Sequence, residues 1–323
     1  MCQMSEEKRN SMIVTVTANA AADKRYVVGN MQVGEVNRVK EADISAGGKG
    51  LNVSRAAYIA GEKVIATGFL AGHTGELVQD KIGEDGFASD FVWCSGETRS
   101  CINIWDETNR TQTELLEPGF TATAEDQDHL VEKFRDLVKD ASIASVSGSL
   151  PKGCGSELYG RLIDEARKLG KRVILDTSGQ TLADCLAFRP FMIKPNIDEI
   201  RQLVKKNLDP EQKEEIFAAA DKLHGMGIPV VVISLGASGS LMSCPEGVFQ
   251  ARVPKIQAVN TVGCGDSMIG GFDVGFERGL SSPECLRIAS AISAAAAMTD
   301  RTGFFRMEDM EQIRSRIEIT KLR

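Results

Sequence analysis

The chain is poor in the patterns that mark disulfide-rich, metal-binding and membrane-spanning proteins. Its eight cysteines include no Cys-x-x-Cys pair, and its three histidines, His73, His129 and His224, stand far apart. We therefore expect free thiols in a reducing compartment and no zinc centre. No stretch approaches the roughly 18 consecutive apolar residues of a membrane span. The polar N-terminus MCQMSEEKRNS has no apolar core, so we expect a cytoplasmic protein without a signal peptide or a membrane partner.

The chain also lacks internal repeats, low-complexity tracts and any Pro/Ser-rich linker. Its 323 residues, of which 42% are hydrophobic, suit one large domain spanning 1–323 with a sizeable core. The formal net charge of -7 argues against a nucleic-acid partner, because an acidic chain gains nothing from counterion release. An anionic substrate would need a few locally placed cations.

Short β-rich runs alternate with helical stretches, which predicts a mostly parallel sheet with helices on both faces. The run VVVIS is continuously apolar, as expected for a strand covered on both sides. The predicted strands are Met12–Thr17, Val64–Gly68, Ile143–Ser147, Val173–Leu175, Phe191–Lys194 and Val230–Ser234. The predicted helices are Gly50–Ala60, Gly75–Glu84, Gln127–Lys139, Ser156–Leu169, Glu211–Met226, Asp266–Arg278 and Pro283–Met298.

Two segments, approximately 24–44 and 99–116, break this alternation. They contain short polar–apolar alternations such as Val33–Val39 and Cys101–Trp105 and no helical pattern. They predict a small antiparallel sheet that projects from the main body and acts as a lid over a cleft. On pattern alone, ordinary surface hairpins explain them nearly as well.

The segment NTVGCGDSMIGGF, residues 260–272, carries the strongest chemical pattern. Gly263 and Gly265 flank Cys264 directly before a predicted helix, so backbone N–H groups and the positive helix end can converge on phosphoryl oxygens. Asp266 then falls in the first helical turn, where a carboxylate can accept a proton from an alcohol. The pattern equally allows a plain turn in which Asp266 only caps the helix.

The segment AGGKGLN, residues 46–52, places Gly48, Lys49 and Asn52 at a glycine-rich loop before a helix. Glycines let the backbone approach a ligand closely, and together with the Asn52 amide this suits recognition of sugar hydroxyls. The spacing of the glycines and Lys49 is not that of a Walker A loop. A simple loop-to-helix joint is the alternative.

Two further segments follow apolar strands. In KPNIDE, Asn196 and Glu199 are one helical turn apart and suit a hydrated Mg²⁺; a turn and a helix start explain them as well. In SLGASG, residues 234–239, a Gly/Ser loop at a strand end suits a nucleotide or a tight hairpin. Asp23 suits sugar hydroxyls, and Arg38 and Arg99 suit a substrate phosphate, unless these arginines are solvated surface charges.

Taken in order, AGGKGLN, SGSLP, LDTSG, KPNIDE, SLGASG and NTVGCGD resemble the ribokinase-like carbohydrate kinases of the phosphofructokinase-B family, from Ile13 to about Gly303. The segments VGEVNRV, ATGFLAGHTGE and GETR resemble its hexose-phosphate kinase branch, above all 1-phosphofructokinase and tagatose-6-phosphate kinase. The resemblance implies a three-layer α/β/α domain with a mostly parallel sheet and a small β-sheet lid. Lids of this kind often leave one sheet face apolar, and we expect Ile102, Ile104 and Leu115 to line such a face. We therefore expect a homodimer joined through the lid segments.

The resemblance also implies roles for individual residues. Asp266 would be the catalytic base, and the amides of Gly263, Cys264 and Gly265 the anion hole. ATP would lie on Lys194, Ser234, Gly236 and Gly239, with Asn196 and Glu199 holding Mg²⁺ through water. Asp23, Gly48 and Asn52 would contact the sugar, and Arg99 its phosphate, with Lys49 or Arg38 helping. The implied reaction is ATP-dependent phosphorylation of fructose 1-phosphate to fructose 1,6-bisphosphate, with tagatose 6-phosphate as the alternative acceptor.

Two departures from the family pattern bear on these roles. The first strand runs into Thr17–Asp23 (TANAAAD) without the usual proline, and Cys264 replaces the usual alanine. A kinase of an unphosphorylated sugar or nucleoside stays open as an alternative, and so does a non-catalytic sugar-binding protein. The retention of Asp266 between its glycines and the helix argues against the last.

Overall fold

The computed structural model describes residues 12–209 and 212–323, and a large, mostly parallel sheet runs through its centre. The parallel strands lie in the order β11–β10–β9–β1–β4, with β12 beside β11. Their bounds are β1 (Met12–Thr17), β4 (Val64–Ala71), β9 (Ala141–Ser147), β10 (Arg172–Asp176), β11 (Met192–Ile193) and β12 (Val230–Ser234). The six predicted strands are therefore confirmed, with small shifts at their ends.

The two edges of this sheet were not predicted. At one edge, β12 continues into the antiparallel strands β13 (Ser240–Cys244), β14 (Gly247–Arg252) and β15 (Glu318–Lys321). At the other edge, β4 pairs with β5 (Ala88–Ser89) and β6 (Val92–Cys94).

Helices cover both faces of the large sheet, and each face has its own apolar core. One face carries α1 (Lys49–Ile59), α2 (Gly72–Asp85), α8 (Cys264–Glu277), α9 (Ser282–Ala297) and α10 (Met307–Arg314). The other carries α3 (Ala124–Val138), α4 (Ser156–Lys168), α5 (Gly179–Cys185), α6 (Ile197–Val204) and α7 (Lys213–Gly225). Because side chains alternate along a strand, Ile13 of β1 faces the first core and Val14 faces the second. The three-layer prediction is confirmed.

The predicted helices occur within one to three residues of their expected ends. The start predicted for α7, Glu211, lies outside the described residues. No helix among residues 12–209 and 212–323 is both long and apolar enough to cross a membrane.

A separate sheet of four strands, here called the small sheet, lies beside the main body. Its strands β2 (Ala21–Val28), β3 (Glu41–Gly47), β7 (Arg99–Asp106) and β8 (Thr111–Leu116) are ordered β3–β2–β7–β8. The central pair β2–β7 is parallel, so the sheet is mixed and the antiparallel prediction was wrong in this respect. The alternating segment Val33–Val39 lies in the β2–β3 connection, where Asn37 closes a loop on the backbone of Gln32.

Close packing between α1 and α8 sets the position of the site. A Cβ on Gly270 of α8 would lie 2.9 Å from the carbonyl oxygen of Val53 in α1, so the two helices touch backbone to backbone there. Their N-termini consequently lie side by side, next to the carboxyl ends of the parallel strands, where ligands bind in open α/β sheets.

Candidate active site

A cavity of about 440 Å³ lies between the small sheet and the N-termini of α1 and α8. It brings together seven residues that the sequence predicted from four separate segments of the chain. These are Asp23, Gly48, Lys49, Asn52, Arg99, Gly263 and Asp266.

The N-terminus of α8 lines the cavity on the side of the main body, opposite the small sheet. Gly263 has the left-handed φ of 76°, and a Cβ there would lie 2.4 Å from the side chain of Thr302, so only glycine fits. No side chain caps this helix by a hydrogen bond. No side-chain cap therefore occupies the first-turn N–H groups, although the N–H of Cys264 donates to the carbonyl oxygen of Thr261 at 3.4 Å. The interpretation of Asp266 as a capping residue is wrong.

Asp266 lies buried in the first turn of α8 while still lining the cavity. One carboxylate oxygen accepts a hydrogen bond of 2.9 Å from Nδ2 of Asn52. The pKa of Asp266 is raised to about 6, chiefly by burial and also by the charge of Asp176, against the lowering effects of Lys49, the Asn52 hydrogen bond and Lys194. A carboxyl group of this pKa is ionised at neutral pH and is a stronger base than an exposed aspartate.

Two lysines converge beside Asp266 on the carboxylate of Asp176, at the end of β10. Nζ of Lys49 lies 3.5 Å from one oxygen and Nζ of Lys194 lies 3.6 Å from the other. Asp176 is the main cause that raises the pKa of Lys49. Nζ of Lys194 also lies 3.3 Å from where a Cβ on Gly265 would stand, directly under the start of α8. The cluster therefore places two ammonium groups next to the helix N-terminus.

The glycines of AGGKGLN make room for neighbouring groups. A Cβ on Gly47 would lie 2.0 Å from the carboxyl carbon of Asp23, so that carboxylate occupies the space a side chain would fill. Burial raises the pKa of Asp23 to about 6, against the lowering effect of Arg55 and Arg99. Gly48 has φ 105°, which favours glycine, and joins β3 to α1.

Arg99 reaches the cavity from the first residue of β7. Its guanidinium donates to the carbonyl oxygens of Asn19, at 3.0 Å, and Glu117, at 3.4 Å. Arg38 lies in the exposed β2–β3 connection and does not line the cavity. The cavity instead contains Arg25 and Arg301, which sequence reasoning did not identify because no motif surrounds them.

The residues expected on the nucleotide side lie together beyond β11 and β12, outside this cavity. Asn196 caps α6 and forms a capping box with Glu199, and a β-bridge joins Asn196 to Ser234. The loop of Gly236 and Gly239 is a single 3₁₀ turn that leads into β13, so the hairpin interpretation of SLGASG is correct. Lys194 links this region to the Asp266 cluster.

Cys264 is half-buried at the start of α8. Burial, followed by the charge of Asp266, raises the pKa of its thiol to about 11. The substitution of cysteine for the usual alanine thus adds no thiolate near neutral pH.

Comparison with known proteins places the fold and the motifs in context. The pfkB family of carbohydrate kinases matches residues 13–308. A tagatose-6-phosphate kinase of Staphylococcus epidermidis is 34% identical over 313 residues, which cover 96% of this chain and all of the relative. Phosphofructokinase-2 of Escherichia coli superposes with a TM-score of 0.89 at 28% identity, covering 95% of this chain and 99% of the other. A possible 1-phosphofructokinase of Thermotoga maritima gives a TM-score of 0.86 at 25% identity, covering 97% and 100%.

Proposed function

Because this chain belongs to the pfkB family of carbohydrate kinases and is a phosphotransferase acting on a sugar hydroxyl, we propose that it phosphorylates a ketohexose phosphate with ATP. Fructose 1-phosphate is the proposed acceptor and fructose 1,6-bisphosphate the product. The observation that carries the proposal is the buried carboxylate of Asp266, which faces the same cavity as the guanidinium of Arg99.

In this proposal the acceptor hydroxyl donates its proton to Asp266 while its oxygen attacks the γ-phosphorus of ATP. The bond between that phosphorus and the β,γ-bridging oxygen breaks, and ADP leaves. The N–H groups of Gly263, Cys264 and Gly265 bind the oxygens of the group in transfer. The ammonium groups of Lys49 and Lys194 stabilise the same negative charge. Asp23 and Asn52, together with the backbone of Gly48, orient the sugar.

Arg99 binds the phosphate that the acceptor already carries. A ketohexose phosphate presents a hydroxyl at one end and a dianion at the other, and therefore needs a base and a separate cation. Arg301 adds positive charge to the same cavity, and so does Arg25, whose Nη1 lies 4.0 Å from a carboxylate oxygen of Asp300. A neutral sugar or a nucleoside has no use for these cations, which is why we favour a phosphorylated acceptor.

The nucleotide is proposed to lie over Lys194, Ser234, Gly236 and Gly239. Mg²⁺ would neutralise phosphate charge during the transfer. The capping box uses Oδ1 of Asn196 and one oxygen of Glu199. Within residues 12–209 and 212–323 the other Glu199 oxygen accepts no hydrogen bond, so Glu199 fits a water shared with Mg²⁺. Asn196 would act mainly by fixing Glu199.

The small sheet is proposed to act as a lid on a single catalytic domain and to join two subunits. Its cavity face carries Cys101, Asn103 and Trp105, and Ile102 also borders the cavity, whereas Ile104 does not line it. A cytoplasmic location is proposed because the seven cysteines within the described residues are all free.

Tagatose 6-phosphate is the second candidate acceptor, favoured by the 34% identity to a tagatose-6-phosphate kinase over nearly the full chain. Both candidates give a 1,6-bisphosphate and need the same two functional groups in the protein. The two acceptors differ in the configuration of one ring hydroxyl, which the cavity residues near Asp23 would have to distinguish. They also differ in the position of the phosphate, so the accepting hydroxyl is on C6 in fructose 1-phosphate and on C1 in tagatose 6-phosphate.

The test is ADP release with a matched panel of acceptors: fructose 1-phosphate, fructose 6-phosphate, tagatose 6-phosphate, fructose, ribose and adenosine. The proposal expects the highest kcat/KM with fructose 1-phosphate and low values for the three unphosphorylated compounds. Strong turnover of an unphosphorylated acceptor with none of a hexose phosphate would reject it. A preference for tagatose 6-phosphate would select the second candidate.

A further inference from the structure

Arg55, on α1, is the largest side chain that is completely buried within the described residues. Its guanidinium is held by Asp85 at the end of α2, with Nε at 2.9 Å and Nη2 at 2.7 Å from one carboxylate oxygen. Nη2 also donates to the carbonyl oxygen of Ala46 at 2.6 Å, and the group lies 4.7 Å from the ring centre of Phe304. These contacts fix the guanidinium in one orientation.

The remaining nitrogen of this guanidinium faces the active site. Nη1 lies 3.0 Å from Oδ1 of Asn52, one turn earlier on α1. Nδ2 of the same amide lies 2.9 Å from Oδ2 of Asp266. Asp85, Arg55, Asn52 and Asp266 thus form a continuous chain of hydrogen bonds that ends on the proposed base.

The chemistry of arginine determines which way the Asn52 amide points. A guanidinium has five N–H donors and no acceptor, so only the amide oxygen can face Arg55. The amide NH₂ must then face Asp266. A donor to a carboxylate stabilises its ionised form, whereas the amide oxygen would stabilise the protonated form.

We infer that Arg55 is a positioning residue that locks the Asn52 amide with its NH₂ toward Asp266 and thereby keeps the carboxylate ionised and oriented. This inference rests on the proposed function, because it assumes that Asp266 is the base. A lysine cannot replace Arg55, since one ammonium group cannot meet Asp85, the carbonyl oxygen of Ala46 and Asn52 with the geometry of a planar fork.

The other groups that face Asp266 do not depend on Arg55. They are Lys49 at the start of α1, Asp176 at the end of β10 and Lys194 after β11. Asp176 and the two lysines hold one another by ion pairs. Arg55 also lowers the pKa of Asp23, which lines the same cavity. A shift of the acid limb on substitution of Arg55 therefore reports on the Asn52 amide only if the shift disappears in the Asn52→Leu background.

The experiment measures the acid limb of the pH profile of kcat/KM for the preferred acceptor. In Arg55→Lys the charge stays but the fork is lost, so the amide can turn and the limb should move to higher pH by about one unit, the worth of one hydrogen bond. The double variant R55M/D85N removes both members of the buried ion pair, so that no buried carboxylate is left without its partner. We expect the double variant to shift the acid limb in the same way, and it can replace Arg55→Lys if that variant folds poorly.

Asn52→Leu removes the amide that links Arg55 to Asp266 and should also shift the acid limb to higher pH. Adding Arg55→Lys to Asn52→Leu should then produce no further shift. Arg278→Lys is the matched control, because Arg278 also bonds a carboxylate, of Glu62, and a backbone carbonyl, of Ala60, but lies away from the site. Its limb should coincide with that of the wild type.

An unchanged limb in a folded Arg55 variant would overturn the inference, and so would a full shift by Arg55→Lys in the Asn52→Leu background. Asp266→Asn, measured in parallel, keeps the two proposals apart. If Asp266→Asn retains wild-type kcat, the assignment of the base fails. If Asp266 is essential but the acid limb does not shift on substitution of Arg55, the inference about Arg55 fails and the assignment of Asp266 as the base stands.

Discussion

Nζ of Lys49 lies 3.5 Å from a carboxylate oxygen of Asp176, although the two residues are 127 positions apart in the chain. Lys49 begins α1 and Asp176 ends β10, so this ion pair ties the glycine-rich loop to the centre of the sheet. Asp176 holds Lys194 in the same way. The carboxylate is thus shared by both ammonium groups that we place at the transferred phosphoryl group.

We expect Asp176→Asn to lower kcat/KM at least about tenfold, because both lysines lose a charge-assisted contact. The same change should move the acid limb to lower pH, since the charge of Asp176 raises the pKa of Asp266. Steady-state kinetics between pH 5 and 8 measure both effects. Asp164→Asn, which removes an exposed carboxylate paired with Arg167, is the control. An acid limb that moves upward would contradict this account.

Asp266→Asn tests the base itself. General-base catalysis contributes typically 10²–10⁴-fold, so kcat should fall by at least about 10²-fold. Asparagine has the same shape, and α8 has no side-chain cap to lose, so the melting temperature and nucleotide binding should stay near those of the wild type. Near-normal kcat in the folded variant would remove Asp266 from the mechanism.

Arg99→Ala should raise KM for the sugar phosphate about 10-fold to 100-fold, the range for loss of a charge-assisted contact. KM for ATP should change little, because Arg99 lies in the small sheet, away from β11 and β12. Arg110→Ala, at the exposed β7–β8 turn, should leave both constants unchanged. If Arg99→Ala leaves KM for the sugar phosphate unchanged, Arg99 serves only its backbone contacts to Asn19 and Glu117.

Asp273, in the middle of α8, predicts a pH-dependent stability that is separate from catalysis. Burial raises its pKa from 3.8 to about 8, opposed by hydrogen bonding to Ser145 and aided by Glu277. The folded protein therefore holds a proton that the unfolded chain releases, and stability falls as pH rises from about 4 through about 8. In Asp273→Asn, thermal melts should show a smaller decline over this window. Equal declines in both proteins would contradict the protonated state.

The outer face of the small sheet predicts the oligomeric state. Ile102 pairs across strands with Leu115, which is 53% exposed. Such an apolar face suits a homodimer with a self-complementary interface. Light scattering should show a dimer for the wild type and a monomer for Leu115→Asp, in which a charge would be buried at the interface. A wild-type monomer at micromolar concentration would reject the lid-to-lid assembly.

The fold was predictable because its signals are local. Alternation of apolar strands and amphipathic helices predicted the layers, and glycine-rich segments marked the starts of α1 and α8. The small sheet was harder, because its strands are short and half-exposed and their pairing joins β2 to β7, about 80 residues later. Polar–apolar alternation in Val33–Val39 suggested a strand where side-chain hydrogen bonds of Asn37 close a loop instead.

The site was only partly predictable, for a physical reason. Residue type and motif indicated Asp266, Asn52 and Lys49, but the hydrogen bond between Asn52 and Asp266 spans 214 positions. Asp176 was visible only as an acid at a strand end. Arg55 was visible only as one charge on a predicted helix, because burial and partners depend on packing that no local pattern specifies.

Gly48 is the single residue between the end of β3 and the start of α1. The small sheet and the helix that carries Lys49 and Asn52 are consequently joined through this one residue. If the small sheet acts as the proposed lid, its rotation over a bound sugar would displace the N-terminus of α1, because only Gly48 separates the two. Closure over the acceptor and alignment of the groups around Asp266 would then occur together.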